Sequence, residues 1–330
     1  MINLGQGEVY DLNATEKRKR VLDKWRREAG KAVLKALDDP EVIEIILKPD
    51  GRLRVDRVGV GLEDTGETMQ PEMSLSMLGT VATLLDTVIN REHPILEGEL
   101  PDGSRIEGII PPVSRGPTFA IRKKAERIFT LKEYVEGGRL TAKQRNIIEE
   151  AVLAKKNIVI CGGTGSGKTT FGNAVLHFLA EACPNERAIL IEDTTELQCS
   201  LDDTTALKTV DEEETKIDMK RLLRATLRLR PDRIIIGETR GGEALQLLKA
   251  WNTGHPGGLV TLHSDDAESA LYRLEEMIQE NRIEPSKTMI ARTIDLIVFL
   301  ARTPKEGPKI MEIKEVNGFK NGAYILNDIT

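Results

Sequence analysis

The fold of this chain is decided by one stretch near its middle, Cys161-Gly162-Gly163-Thr164-Gly165-Ser166-Gly167-Lys168-Thr169-Thr170. From Gly162 to Thr169 it fits the pattern G-x-x-x-x-G-K-[ST], and it follows an apolar run, Asn157 to Cys161, that predicts a buried strand. The residues after it, Phe171 to Ala182, predict a helix. A strand, a glycine loop and a helix in this order form the context in which the pattern binds phosphate. The sequence therefore predicts a nucleoside triphosphate site.

Each residue type in this loop has a physical role in holding phosphate. Glycines let consecutive backbone N–H groups turn towards phosphate oxygens, where a Cβ atom would clash, and the start of the following helix adds partial positive charge. In this pattern Lys168 reaches the β- and γ-phosphates, and the Thr169 hydroxyl holds Mg²⁺. The sequence thus predicts ATP and Mg²⁺ as ligands. The predicted nucleotide-binding residues are Gly162, Gly163, Thr164, Gly165, Ser166, Gly167, Lys168, Thr169 and Thr170.

The composition of the whole chain sets limits on its size and class. A length of 330 residues exceeds one typical hydrophobic core and predicts two domains. The net charge of -6 argues against a generally basic nucleic-acid binder, so direct nucleic-acid binding is not expected. No apolar run approaches the roughly 20 residues that span a bilayer, and the charged start of the chain predicts no secretory signal. The three cysteines lack metal-ligand spacing, which favours a reducing cytoplasm.

The first part of the chain, residues 1–128, predicts a small α+β domain. Apolar residues at helical spacing from Ala14 to Asp39 indicate a helix with a strongly basic start. Such a helix either packs on its own domain with its charges solvated or lies on an anionic membrane surface, and the sequence leaves both open. Two hairpins across Pro-Asp-Gly turns, a helix from Ser74 to Asn90 and a strand from Thr118 to Arg122 complete this domain.

A linker at residues 129–139 leads into the second predicted domain, residues 140–330. Strands and helices alternate there, which predicts an α/β P-loop NTPase domain with helices on both faces of a sheet. The predicted strands are Asn157 to Cys161, Arg187 to Glu192, Arg233 to Gly237, Leu259 to Leu262 and Thr293 to Leu300.

Three clusters of polar residues follow predicted strands of this sheet, where open parallel sheets bind their ligands. The first contains Glu192, the second contains Glu238 and Arg240, and the third ends at His263. Phosphoryl transfer to water needs a metal, a carboxylate that orients the water, and cations near the γ-phosphate. Glu192 and Glu238 are the candidate carboxylates. Each could orient the attacking water, or could hold Mg²⁺ either directly or through a bridging water. His263 is a candidate contact to the γ-phosphate. Singly, each is an ordinary loop residue; their order after a phosphate loop favours a catalytic site.

The phosphate loop and these three clusters are four motifs whose order resembles that of the secretion-superfamily hexameric traffic ATPases. These ATPases power type IV secretion and conjugation, type II secretion and type IV pili. The similarity extends into the first domain, through the stretches 101–105 and 117–123, and is greatest to the TrbB-type conjugal transfer ATPases. Thr239 departs from the aliphatic residue usual in the family. Type II secretion and pilus-assembly members commonly carry a four-cysteine metal module, and this chain has no paired C-x-x-C motif. Pilus-retraction members have a similar size and remain the close alternative.

The resemblance implies a RecA-like ATPase domain, a homo-hexameric ring and nucleotide held between the two domains. Arginines of the first domain, here Arg105 and Arg122, are expected to approach the phosphates, and Arg240 is expected to reach them or to bridge subunits. The implied activity is hydrolysis of ATP to ADP and phosphate, which moves one domain against the other. The implied location is the cytoplasm, peripheral at the inner membrane, with secretion-channel or pilus-assembly proteins as partners.

Two other functions are open at this stage. One is a nucleotide-dependent scaffold, in which ATP assembles a docking platform and hydrolysis is incidental. The other is a nucleic-acid translocase, which would carry a basic loop with aromatic residues facing a pore. The chain has only 12 aromatic residues and no such tract, so translocation directly on DNA is not expected. The scaffold is harder to exclude, but the candidate carboxylates Glu192 and Glu238 favour an enzyme.

Overall fold

The structure is a computed structural model. It describes residues 12–58, 60–124, 127–211, 215–303 and 307–329. The chain divides between residues 126 and 127 into two compact units. Both combine helices with sheets, and the second carries the phosphate loop on an α/β sheet, so the predicted fold class is confirmed.

The first unit contains, in its described part, two helices and a six-stranded antiparallel sheet. The helices are α1 (Leu12–Asp38) and α2 (Pro71–Leu84). The strands are β1 (Val42–Leu47), β2 (Arg52–Arg57), β3 (Gly61–Thr68), β4 (Ile95–Glu99), β5 (Arg105–Ile109) and β6 (Thr118–Arg122). Their order is β3-β2-β1-β6-β5-β4, so both predicted hairpins, β1–β2 and β4–β5, are present.

Helix α1 packs against α2 through its apolar side, where Trp25 is buried. The helical backbone is interrupted at Gly30, whose φ of 74° glycine adopts without steric cost, so the predicted single helix consists of two segments. Residues 17–20 at its basic start are exposed, while Glu28 accepts a hydrogen bond of 2.6 Å from the Thr80 hydroxyl of α2. Among the described helices, α1 included, none is long and apolar enough to cross a membrane.

The second unit contains an eight-stranded sheet of order β16-β15-β14-β7-β13-β12-β8-β9. The strands are β7 (Ile158–Gly162), β8 (Ala188–Glu192), β9 (Thr204–Lys208), the small separate pair β10 (Val210–Asp211) and β11 (Lys216–Ile217), β12 (Arg233–Ile236), β13 (Leu259–Leu262), β14 (Leu296–Thr303), β15 (Gly307–Lys320) and β16 (Ala323–Asp328). The helices are α3 (Leu131–Glu136), α4 (Ala142–Leu153), α5 (Lys168–Ala182), α6 (Met219–Thr226), α7 (Ala244–Asn252), α8 (Ser269–Gln279) and α9 (Lys287–Thr293). Strands β14 to β9 in this order are parallel, and β15 and β16 are antiparallel.

The parallel strands are covered on both faces, which explains their continuous apolar sequences. In β7, Ile158 and Ile160 pack into one core with residues of α4 and α5, while Val159 and Cys161 pack into another with residues of α7 and α8. Burial raises the pKa of the Cys161 thiol to about 12, so this cysteine is a neutral core residue. The two cores fix the sheet from which the phosphate loop emerges.

Candidate active site

The glycine loop lies between β7 and α5, and its shape requires glycine. Gly165 and Gly167 have φ angles of 69° and 84°, which glycine adopts without steric cost. A Cβ atom on Gly162 would lie 2.1 Å from the carbonyl oxygen of Leu300, so a side chain there would force β7 away from β14. Residues 163–165, at the tip of the loop, are exposed. The loop therefore presents backbone, rather than side chains, to a ligand.

Three features of this loop fit a bound polyphosphate. Helix α5 begins at Lys168, and its N-cap, Gly167, provides no side-chain hydrogen bond to the first N–H groups of the helix. The Ser166 hydroxyl is buried without a hydrogen-bond partner among the described residues, which is rare for a buried polar group. The Lys168 ammonium donates to the carbonyls of Gly162 and Gly163 at 2.9 and 3.0 Å, which holds its charge at the base of the loop. Donors and a cation thus converge where phosphate oxygens would lie.

The predicted acidic and histidine residues gather at the same edge of the sheet as this loop. Glu192 ends β8, Glu238 lies two residues after β12, and His263 directly follows β13. Because β7, β13, β12 and β8 are consecutive parallel strands, their carboxyl ends meet at one edge. His263 Nε2 lies 2.8 Å from Glu238 Oε1, and His263 Nδ1 lies 3.4 Å from Lys168 Nζ. One chain of contacts therefore joins the loop lysine to a carboxylate.

His263 is uncharged near neutral pH in this arrangement. Burial lowers its pKa below the ordinary 6.5, the Lys168 ammonium lowers it further, and the Glu238 carboxylate opposes both effects only in part. A neutral imidazole that accepts from Lys168 at Nδ1 carries its proton on Nε2, the ring atom that lies 2.8 Å from Glu238 Oε1. The ring therefore links a cation to an anion without adding a charge of its own.

The second oxygen of Glu238 is held by Arg240. The Arg240 Nε and Nη2 atoms donate to Glu238 Oε2 at 2.9 and 2.6 Å. The Arg240 side chain is 64% exposed, compared with 22% for Glu238. The structure thus places Arg240 on the carboxylate, and its predicted approach to the phosphates or to a second subunit stays a prediction.

Glu192 is more buried than Glu238 and is bonded differently. Its residue is 4% exposed, and its Oε1 accepts the backbone N–H groups of Glu196 and Leu197 at 2.9 and 2.8 Å. A Cβ atom on Gly237 would lie 2.8 Å from the Glu192 Cγ, so glycine at this position lets β12 end against the glutamate side chain. Glu192 therefore lies beside the backbone that carries Glu238.

The loop after Glu238 is fixed by Glu243, which the sequence does not single out. The Glu243 Oε1 accepts the Thr239 hydroxyl and the backbone N–H groups of Arg240 and Gly241, each at 2.8 Å. These hydrogen bonds hold the pKa of Glu243 below its ordinary value, although its burial acts in the opposite direction. A glutamate at the start of a helix is a common sequence feature, so no sequence pattern marks this positioning role.

Asn173 of α5 holds the loop that follows Glu192. Its amide Nδ2 donates to the Glu196 carbonyl at 3.1 Å, and its Oδ1 accepts the Gln198 N–H at 2.9 Å. The sequence signal that points to it is an asparagine on the side of a helix that is otherwise apolar and buried. Asn173 is therefore a positioning residue for the acidic motif.

The two arginines of the first unit lie on neighbouring strands. Arg105 of β5 is directly opposite Arg122 of β6 in the antiparallel register, so both side chains project from the same face. The adjacent residues Ile106 and Ile121 are buried in the core of the unit, so the arginines project from the other face of the sheet. The structure brings Arg105 and Arg122 together within their own unit, and their approach to a nucleotide stays a prediction.

Comparison with known proteins assigns a family to this arrangement of motifs. The sequence profile described as Type II/IV secretion system protein matches residues 57–319, which is well over half of the chain. The chain belongs to this family. The resemblance to secretion traffic ATPases, drawn from the four motifs, is thereby confirmed.

Individual relatives extend the similarity over nearly the whole chain. A probable conjugal transfer protein TrbB of Sinorhizobium fredii is 45% identical over 306 residues, which cover 92% of this chain and 92% of that protein. The type IV secretion system protein PtlH of Bordetella pertussis is 32% identical, with 83% of this chain and 89% of that protein covered. The ATPase DotB of Legionella pneumophila has a similar fold, with a TM-score of 0.58, 19% identity, and coverage of 87% of this chain and 80% of DotB.

Proposed function

We propose that this chain is an ATPase that powers conjugative transfer, or a closely related type IV secretion process, from the cytoplasmic face of the inner membrane. The observation that carries the proposal is the chain of contacts from Lys168 through His263 to Glu238, directly beside a phosphate loop. Family membership and the 45% identity to a probable conjugal transfer protein support the assignment to conjugation.

The residues around the loop take distinct roles in hydrolysis. The loop N–H groups and Lys168 bind the β- and γ-phosphates, and Thr169, with Glu192 acting through water, would hold Mg²⁺. When bound, Mg²⁺ neutralises charge on the phosphates. Glu238 is the more exposed glutamate and orients the attacking water, while the neutral His263 keeps the Glu238 carboxylate next to Lys168. This division of roles explains why the two glutamates have such different hydrogen-bond partners.

Cations stabilise the negative charge that develops on the γ-phosphate. We expect Arg240 to exchange its bond with Glu238 for a bond with phosphate, and we expect Arg105 and Arg122 to contribute as the family resemblance predicts. Loss of the γ-phosphate on hydrolysis would then release the first unit, which is how a nucleotide drives a domain motion. In a homo-hexameric ring such steps would act on secretion-channel or pilus-assembly proteins, with the basic start of α1 in contact with anionic lipid.

Two substitutions separate binding from hydrolysis. Lys168→Ala should abolish ATP turnover, measured as phosphate release. Arg105→Ala should lower turnover by at least ~100-fold while the affinity for a fluorescent ATP analogue changes much less, because its charge acts mainly on the transition state. Arg91→Ala, at an exposed position of the same unit, is the matched control and should leave both unchanged. Equal losses of binding and turnover in Arg105→Ala would contradict the role given to this arginine.

A further inference from the structure

Strand β14 extends beyond the end of its neighbour β7 and runs beside the phosphate loop. The last pair in register joins Leu300 to Gly162, and β14 continues for three more residues to Thr303. Strand β15 then returns antiparallel, with Pro308 opposite Arg302. The end of β14 and the start of β15, around Arg302 and Pro308, form an arm. Since β7 lies between β14 and β13, this arm borders the loop on the side away from β13.

Two residues of this arm approach the glycines of the loop. A Cβ atom on Gly167 would lie 2.9 Å from the Pro308 Cβ, and a Cβ atom on Gly165 would lie 3.8 Å from the Arg302 Nη1. Gly165 is at the exposed tip of the loop, and Arg302 is exposed as well. A guanidinium group therefore lies at van der Waals distance from the position that a side chain on Gly165 would occupy, next to the loop that would hold the phosphates.

We propose that Arg302 is a further nucleotide-binding residue that contacts the phosphates shared by ATP and ADP. A guanidinium is planar, permanently charged and able to donate two parallel hydrogen bonds to phosphate oxygens. His263 and Glu238, which we place at the γ-phosphate, follow β13 and β12 on the other side of β7. Arg302 therefore faces the part of the polyphosphate that remains after hydrolysis.

An arginine at an exposed strand end is ordinarily a solvated surface residue. The position of Arg302 differs because its strand extends past β7 and the glycines beside it leave room for a ligand rather than for side chains. The inference rests on the proposed function, since it takes ATP as the substrate. Arg302 also differs from the predicted site residues of the second unit, which lie in the loop and the start of α5, at the end of β8, or after β12 and β13.

The test compares the full-length protein with Arg302→Ala for three ligands: ATP, ADP and inorganic pyrophosphate. We expect each dissociation constant to rise about 10-fold, which equals about 1.4 kcal/mol, while kcat changes less than about 3-fold. Arg302→Lys keeps the charge without the planar fork and should give an intermediate loss. Arg273→Ala removes a partly exposed arginine of α8 and should leave all three constants unchanged. Equal thermal midpoints of unfolding would show that the variants fold. If Arg302→Ala does not fold, the comparison is made with Arg302→Lys alone.

Each alternative outcome overturns the inference in a recognisable way. Unchanged affinities in the Arg302 variants, with normal binding by the unmodified protein, would refute the role of Arg302 and leave the proposed function intact. A loss for ATP alone would place Arg302 at the γ-phosphate, and a loss for ADP without a loss for pyrophosphate would place it at the base or ribose. Failure of the unmodified protein to bind any nucleotide would refute the proposed function and this inference together.

Discussion

Glu186→Gln tests the ion pair that anchors the strand leading to Glu238. Arg233, the first residue of β12, is 1% exposed, and its Nε lies 2.5 Å from Glu186 Oε2. Its other donors bond the carbonyls of Gly257 at 3.1 Å and Val152 at 2.9 Å. The Glu186 carboxylate therefore balances a buried charge that the neighbouring carbonyls satisfy only as hydrogen-bond acceptors.

The size of the effect follows from this geometry. Removal of one partner from a buried ion pair destabilises a protein by about 3–5 kcal/mol, because the remaining charge is left unbalanced. The Glu186 side chain is 18% exposed, and glutamine can still accept a hydrogen bond from Arg233. We therefore expect a loss of about 2–3 kcal/mol in the free energy of unfolding. At about 2–4 °C per kcal/mol, the thermal midpoint of unfolding should fall by about 4–12 °C.

The effect should also depend on pH in a defined direction. Burial raises the pKa of Glu186, but hydrogen bonds from Arg233 and Lys155 lower it more, so it lies below the ordinary 4.5. A lowered pKa in the folded state stabilises the protein above the unfolded value, and this stabilisation is lost as the pH falls through the folded value. The difference between Glu186→Gln and the unmodified protein should thus be complete at pH 7 and shrink below pH 4.5.

Thermal unfolding at pH 7 and at a pH below 4.5 measures the difference in stability between Glu186→Gln and the unmodified protein, with Lys155→Ala as the control. Lys155 is paired with the same carboxylate at 2.9 Å, but its side chain is 38% exposed, so its removal should cost no more than about 1 kcal/mol. Identical midpoints for Glu186→Gln and the unmodified protein at pH 7 would refute the reasoning, and so would equal effects of the two substitutions.

Two further predictions concern the catalytic contacts. The value of kcat should decline as the pH falls, with a midpoint below pH 6.5, because burial and Lys168 lower the pKa of His263. His263→Gln should lack this decline. A decline centred above pH 7 in the unmodified protein would contradict the assignment. Glu238→Gln should reduce ATP turnover by at least ~100-fold and leave the dissociation constant of ADP within ~3-fold, because the carboxylate acts on the attacking water. A matching loss of ADP affinity, measured by fluorescence titration, would show that Glu238 holds nucleotide instead.

The parallel sheet of the second unit could be predicted largely from its sequence. The predicted strand Leu259 to Leu262 coincides with β13, and the predicted helix Phe171 to Ala182 lies within α5 and ends at the same residue. Strands buried on both faces give continuous apolar runs, and a helix buried on one side gives a 3.6-residue period, so burial itself produces both signals.

Elements with little burial could not be predicted. Strand β3, Gly61–Thr68, is exposed at all but its first residue, so no apolar alternation marks it.

Helix α2 runs from Pro71 to Leu84 instead of the predicted Ser74 to Asn90. A proline at the first position of a helix marks its start, and a prediction made from apolar spacing alone does not use this signal. At the other end, Asp86 has a φ of 51° and lies outside the helix.

The candidate site was predictable in its membership but not in its contacts. The motif order was enough to expect Lys168, Glu238 and His263 at one edge of the sheet, because parallel strands end together. The bond from Arg240 to Glu238 depends on side-chain conformations, and the place of Arg302 depends on how far one strand extends past another. Neither property has a signature in residue spacing.

The measurement that tests the central claim most directly is ATP hydrolysis per chain as a function of protein concentration, with Lys168→Ala as the blank. A ring motor whose sites are completed by assembly predicts a specific activity that rises with concentration and then reaches a plateau. A flat, low rate equal to that of the Lys168→Ala blank would contradict an ATP-driven motor and favour a nucleotide-dependent scaffold.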